Sequence, residues 1–335
     1  MKASLENPVY TIYVVAGGSK YDLTPVAVSL VFTDQKKQLA QSLTATIMNV
    51  KVNGVWLSSL IKVRQRIFVY ANDGEKNEEV YRGYIWTRGY KSSISDRELV
   101  LKCYDNLIYL QESDDSEYFS AGKSSSDVVN ELCSKWGVQV KYNYESITHE
   151  KLALRGNLSD IIITDILNVV VDKTSKKYVI ISEKDVMMIK GLGTNARVYN
   201  VKAKHDAIMT KSECTMDGMV TKVSVLSRKG TDERDFVEGT LSQNTGEYGT
   251  MQTIITREED KTLDEVMAEA QGILDKKSTP TWEYEVEAVD IPWIRKGDKV
   301  YVNAGDIADQ NLIVTNLTRN ISAKGAKMTL TLEKP

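Results

Sequence analysis

Val63-Arg64-Gln65-Arg66-Ile67-Phe68-Val69-Tyr70-Ala71-Asn72-Asp73-Gly74 returns near the other end of the chain as Ile294-Arg295-Lys296-Gly297-Asp298-Lys299-Val300-Tyr301-Val302-Asn303-Ala304-Gly305. Arg64/Arg295, Val69/Val300, Tyr70/Tyr301, Asn72/Asn303 and Gly74/Gly305 are identical at a constant spacing (300 − 69 = 231). That spacing carries without a gap to Thr87-Arg88 against Thr318-Arg319. A hairpin loop two residues longer in the first copy then sets Leu99-Val100-Leu101 against Met328-Thr329-Leu330 at a spacing of 229. Two copies of one β-unit in one polypeptide mark a duplicated building block. Such a block suits a symmetric assembly better than an enzyme with one pocket.

Around the first copy the chain reads as strands. Tyr10 to Val15 runs into Gly17-Gly18, a hairpin signal, and Val26 to Phe32 follows as another apolar run. Leu43, Ala45 and Ile47 alternate with Thr44 and Thr46, the period of a half-buried strand. Arg66 to Ala71, Val80 to Tyr90 and Glu98 to Cys103 continue the pattern, so residues 1–111 are expected as a first β-barrel. Composition changes at Glu112-Ser113-Asp114-Asp115-Ser116. Ser124-Ser125-Ser126 offers a helix N-cap, Val128, Val129, Leu132 and Trp136 share a helical face, and Gly137 closes it. A second helix begins at Ser159-Asp160, and a hairpin turns at Glu183-Lys184-Asp185, so residues 112–204 are expected as a small α/β insert. Strands resume over residues 205–335, interrupted by one helix whose Thr262 and Glu265 form a capping box. The fold class expected is mainly β with an α+β insert: two related β-barrel domains flanking a small α/β domain.

Bulk properties agree with a folded chain of two or three domains: 335 residues, 42% hydrophobic, 27% charged, net charge −3. Lys and Arg are scattered, which argues against a nucleic-acid footprint. The N-terminus lacks the apolar run of a secretion signal, and no stretch approaches the roughly 18 apolar residues of a membrane span. Cys103, Cys133 and Cys214 are odd in number, far apart and flanked by core-like residues, as expected of reduced cysteines in a soluble intracellular product.

No residue stands out as chemistry. His149 and His205 are the two histidines, and neither has a second histidine or a cysteine at metal-ligand spacing. No serine sits in a Gly-x-Ser-x-Gly elbow. Gly191-Leu192-Gly193 follows a strand but lacks a Gly-Lys-Ser/Thr sequel, so it reads as a linker and not a phosphate loop. Asp114-Asp115 reads as a solvated turn; Glu258-Glu259-Asp260 precedes a helix N-terminus, where negative charge is stabilising. The strand tyrosines Tyr10, Tyr13, Tyr70, Tyr81, Tyr84 and Tyr301 read as packing, as do Met187-Met188 and Cys214-Met216-Met219; the charged loop Lys229 to Asp235 reads as a hairpin tip. Catalytic, cofactor-binding and metal-ligating residues are accordingly expected to be absent.

Several segments carry a family likeness. Val80-Tyr81-Arg82-Gly83-Tyr84-Ile85 resembles the apolar-x-Gly-x-Ile strand of phage tail hub proteins. Tyr248 to Ile255 with Glu258-Glu259-Asp260 and the helix Thr262 to Lys276 is more specific, as is Ile294 to Val302, close to that family's Arg/Lys-x-Gly-Asp-x-Val pattern. Over nearly its whole length the chain is similar to phage tail baseplate hub proteins of the XkdQ/YqbQ type, from the prophage PBSX and its relatives in contractile phages and phage-tail-like bacteriocins. The resemblance implies a non-enzymatic homotrimer with two related barrels per chain. Its pseudo-six-fold ring would join the tail tube protein to the central spike protein among neighbouring baseplate proteins. It implies synthesis in the bacterial cytoplasm, no cofactor, no membrane and no sequence-specific nucleic acid. The first copy departs from the pattern, with Arg66-Ile67 where Gly297-Asp298 stands. A tail-associated peptidoglycan-degrading enzyme and a carbohydrate- or receptor-binding module are the rival readings.

Overall fold

The structure, a computed structural model, describes residues 7–93, 97–202, 207–228, 235–258 and 260–335. The chain divides into two compact units, residues 1–211 with 284–335, and residues 212–283.

The first unit is built on one long sheet. Strand by strand it runs from Ala207–Thr215 through Thr281–Val289, Gly325–Glu333, Ile307–Ser322, Ala27–Asp34, Ser42–Met48, Arg97–Tyr104, Asn77–Ser92 and Arg66–Asn72 to Val9–Ala16 and Ser19–Asp22. Lys299–Ala304 pairs off this path with Ile307–Ser322 and, in parallel, with Tyr199–Lys202. The alternation in the sequence explains the two cores. Leu43, Ala45, Ile47, Ile67, Val69, Leu99 and Leu101 are fully buried in the first, and Val300, Val302, Leu312, Val314, Leu330 and Leu332 in the second. The two halves join where Ile307–Ser322 lies antiparallel to Ala27–Asp34, from Leu317 opposite Asp34 to Ser322 opposite Ser29. The mainly-β class is as expected. Among the described residues no strand pair closes either half into a barrel.

Both halves contain the same three-stranded meander, but not in the register that the sequence identities suggest. The left-handed residue of the turn before the first strand is Arg64 (φ 66°) in one copy and Gly297 (φ 84°) in the other. Arg64 N bonds the Ile85 carbonyl while Gln65 O receives Ile85 N; Gly297 and Asp298 bracket Val314 in the same way. The first ladder slips after Val69 and after Val302. The second slips around Trp86 and around Thr315. First strands therefore correspond at a spacing of 233 (302 − 69), and the two later strands at 229 (315 − 86). The length difference lies in the first hairpin: residues 70–80 separate Val69 from its partner Tyr81, whereas residues 303–309 separate Val302 from Gln310. The second hairpin, expected to be longer in the first copy, is equal in the two. Residues 89–100 separate Arg88 from Leu101, and 318–329 separate Leu317 from Leu330. Arg64-Gln65, not Arg66-Ile67, stands where Gly297-Asp298 does. A displacement of two residues returns every strand side chain to the same face, so a shifted alignment keeps the hydrophobic pattern and escapes notice.

The insert shares its core with Leu39, Ala40, Leu107, Ile108 and Leu110 of the first half. Ser124 caps the helix Ser125–Ser134 by accepting from Asp127 N, and Val128, Val129 and Leu132 are buried. Gly137, at φ 67°, ends the segment as expected. The second helical segment is α-helical over Leu158–Asp160, π-helical over Ile161–Leu167 and α-helical again over Asn168–Thr174. Tyr178–Glu183 and Val186–Gly191 form the expected hairpin, and Gln139–Asn143 adds in parallel beside Val186–Gly191.

The second unit is a sheet in the order Asp235–Ser242, Lys222–Arg228, Gln252–Thr256, with the helix Leu263–Lys277 on Val223 and Val225 through Val266, Ala270 and Leu274. The capping box of Thr262 and Glu265 is present. This unit lies inside the segment 205–335 that was expected to be one barrel.

Candidate functional site

The residues singled out as possible chemistry fall into packing roles. His149 is buried in the insert with Nε2 2.8 Å from Ser125 Oγ, and burial, reinforced by Lys173, lowers its pKa, so its ring stays neutral. His205, the tip Lys229 to Arg234 and Glu259 lie outside the described residues. Asp115 and Glu117 share Lys135, an arrangement of a solvated strand. Gly193 N donates to Gly297 O at 2.8 Å, a structural bond of the linker. Cys103 and Cys133 are buried, and burial raises both thiols. Cys214 is exposed, as is Met216, contrary to the core surroundings expected there: the strand Ala207–Thr215 buries none of its residues. Tyr10 and Tyr81 are core residues, whereas Tyr13 and Tyr70 meet edge to face. Among the described residues no three His, Cys, Asp or Glu side chains gather as a metal site, and no helix is long and apolar enough to cross a membrane.

What the structure does bring together is a charged seam between the halves of the first unit. It is supplied by residues 290–298, which lead into the second copy. Arg319 Nε meets Asp290 at 2.8 Å, with side-chain exposures of 4% and 0% that make this a buried pair. Tyr10, from the first strand of the other half, donates to the same Asp290. Burial, then Asp290 beside it, raises the Tyr10 pKa, so the hydroxyl keeps its proton and donates. Arg319 also donates to the carbonyls of Ile291, Pro292 and Ile294. Lys296 meets Asp34 at 2.7 Å and donates to the carbonyls of Gln35 and Gln38. Trp293 Nε1 donates to Asp73, and Arg295 Nη1 to the Val80 carbonyl at 2.8 Å. Desolvated ions of this kind demand partners on both sides, so the seam fixes one relative placement of the halves. Sequence reading passed over these residues because a charged side chain in a turn looks solvated. The available signal was Arg319 and Asp34 within otherwise alternating strands.

Beside the seam a cleft of about 640 Å³ opens between residues 76–82, the insert hairpin and the turn 293–298. Asp105 lines it, accepting from Gln41 N at 3.0 Å and Leu107 N at 2.9 Å. Burial outweighs those bonds and raises its pKa to about 7. A second cleft of about 430 Å³, mostly apolar, lies between the π-helical turns and the second half.

A long antiparallel sheet carrying a repeated meander, with a helical insert, is a fold shared with solved phage-tail proteins. The fold is similar to the 43 kDa tail protein of prophage MuSo2 from Shewanella oneidensis, at TM-score 0.74 and 15% identity over 98% of this chain and 99% of that one. It is likewise similar to a tail protein from Neisseria meningitidis MC58, at TM-score 0.72 and 14% identity over 97% and 96%. A third likeness is to the Escherichia coli c3393 protein, a component of the type VI secretion system described as structurally similar to bacteriophage T4 tail proteins gp27 and gp5. There the TM-score is 0.57 and the identity 8%, over 92% of this chain and 74% of that one. Among curated proteins none matches the sequence. The chain belongs to the YQBQ-like family, whose model matches residues 30–333.

Proposed function

We propose that the protein is a structural baseplate hub of a contractile phage tail or phage-tail-like bacteriocin. Three copies form a ring of pseudo-six-fold symmetry that adapts a six-fold tail tube to a three-fold central spike. The observation that carries this reading is the repeated meander: one chain offers two equivalent β-units, so a trimer offers six, while the insert occurs once and leaves three-fold order. In this reading residues 1–111 carry the first unit and 112–204 the insert. Residues 205–335 carry the second unit, with the compact body 212–283 inside it. The role is mechanical and has no turnover. The partners are a second and third copy, the tube, the spike and neighbouring baseplate proteins. The protein is made in the bacterial cytoplasm and ends in the tail.

Electron microscopy of the assembled particle tests the reading, with three copies expected between tube and spike. Mass photometry of purified protein mixed with its tube or spike protein is the faster form, with a trimer expected. A chain that stays monomeric with both partners present, or that clears purified cell walls by itself, overturns it.

A further inference from the structure

Among the described residues, Arg295 is a cation of the seam whose guanidinium meets no acid. Arg319 has Asp290 and Lys296 has Asp34, but among the described residues no carboxylate lies within 4.0 Å of Arg295. Its guanidinium makes one hydrogen bond there, Nη1 to the Val80 carbonyl, although a guanidinium has five N–H donors. Burial, and then the neighbouring Arg319, lower its pKa; Asp34, Glu183 and Asp298 act in the other direction from beyond contact distance. A partly desolvated cation left with one neutral acceptor is unfavourable unless something else supplies an anion.

The cleft beside the seam gives that anion room. Arg295 is half-buried in its wall, so a ligand reaches the unused donors. Lys76, Lys141, Lys184 and Arg197 line the same cleft, and none forms an ion pair among the described residues. Trp293 and Tyr199 add flat aromatic surface, and about 640 Å³ suits an organic molecule. Glu79 and Asp298, paired with Arg82 and Lys190, line it too, as do Asp105, Glu78 and Glu183, which disfavours a long polyanion that would have to pass them and favours a compact anion seated at Arg295.

We propose that this cleft binds a small organic oxyanion, a carboxylate or a phosphate monoester, through a two-point contact with Arg295. The inference does not rest on the tail reading and survives its failure.

Calorimetric titration of the full chain with inorganic phosphate and, separately, with succinate at constant ionic strength tests it and separates the two sources of oxyanion. Saturable binding of at least one anion is expected, weakened about tenfold or more in Arg295→Gln. Lys184→Gln, on the exposed hairpin turn, is expected to weaken binding by a smaller factor without changing Tm. Without ligand, Arg295→Gln is expected to melt no lower than the parent chain. No binding of either anion up to ~10 mM, or equal binding by Arg295→Gln, overturns the proposal. If Arg295→Gln does not fold, unchanged affinity in Lys184→Gln combined with Arg197→Gln overturns it.

Discussion

In each meander an arginine from the long middle strand holds the carbonyls that precede the turn. Arg88 donates to Ser58 and Ile61; Arg319 donates to Ile291, Pro292 and Ile294. The acceptors Ser58/Ile291 and Ile61/Ile294 obey the 233 spacing of the first strand. The arginines sit 231 apart, two residues further along a strand whose pairing keeps the 229 spacing. One task has thus moved one pleat along the same face. The environments differ more than the task. Arg88 is exposed, whereas Arg319 is sealed against Asp290 and Tyr10 of the seam. Equivalent geometry therefore carries unequal energy, because the worth of an ionic contact depends on what water would otherwise supply.

The sharpest break of that comparison is Arg319→Met. It leaves Asp290 buried without its cation and is expected to cost about 3–5 kcal/mol, whereas Arg88→Met costs about 1 kcal/mol or less. Denaturant unfolding of both variants checks the ratio; equal losses would remove the distinction. Next comes the turn. At Gly297 a Cβ would stand 2.5 Å from Val179 at a left-handed φ, so Gly297→Ala is expected to cost about 2–4 kcal/mol.

Asp105 separates the copies by pH. It follows the last strand of the first meander and is buried, while the position 229 residues on is the exposed Lys334. The unfolded carboxyl ionises near 4 and the folded one at about 7. Between those values the folded chain holds the extra proton, so this group makes stability fall as pH rises, by up to about 1.4 kcal/mol per pH unit, and levels off above 7. Urea titrations at pH 4.5 to 7.5 should show that decline, flattened in Asp105→Asn; an unchanged slope in the variant would assign the decline elsewhere. The smallest effect belongs to Arg64→Gly, which relieves a left-handed arginine. It should leave Tm unchanged or raise stability by up to about 1 kcal/mol; a clear loss would mean the arginine itself holds the turn.

Strand periodicity made the sheet legible from Leu43, Ala45 and Ile47 onward, and the capping residues Ser124 and Thr262 marked their helices, because these signals are local. Register was not legible, since Val69 faces inward whether matched to Val300 or to Val302. The strand Asp235–Ser242 went unseen because Glu238, Gly239 and Thr240 break its alternation. The seam and the cleft went unseen because their members lie far apart in sequence, as Asp34 and Lys296 do.

The joint between Ala27–Asp34 and Leu317–Ser322 has a consequence for biosynthesis. A ribosome delivers one side of that ladder long before the other, since Asp34 and its partner Leu317 lie 283 residues apart (317 − 34). Until the later strand emerges the early strand offers an open flank of amides and carbonyls to any neighbouring chain. Messages truncated before residue 317 should therefore yield aggregates, and a polysome crowded with half-made copies is the place where holdase chaperones have most to do for this protein.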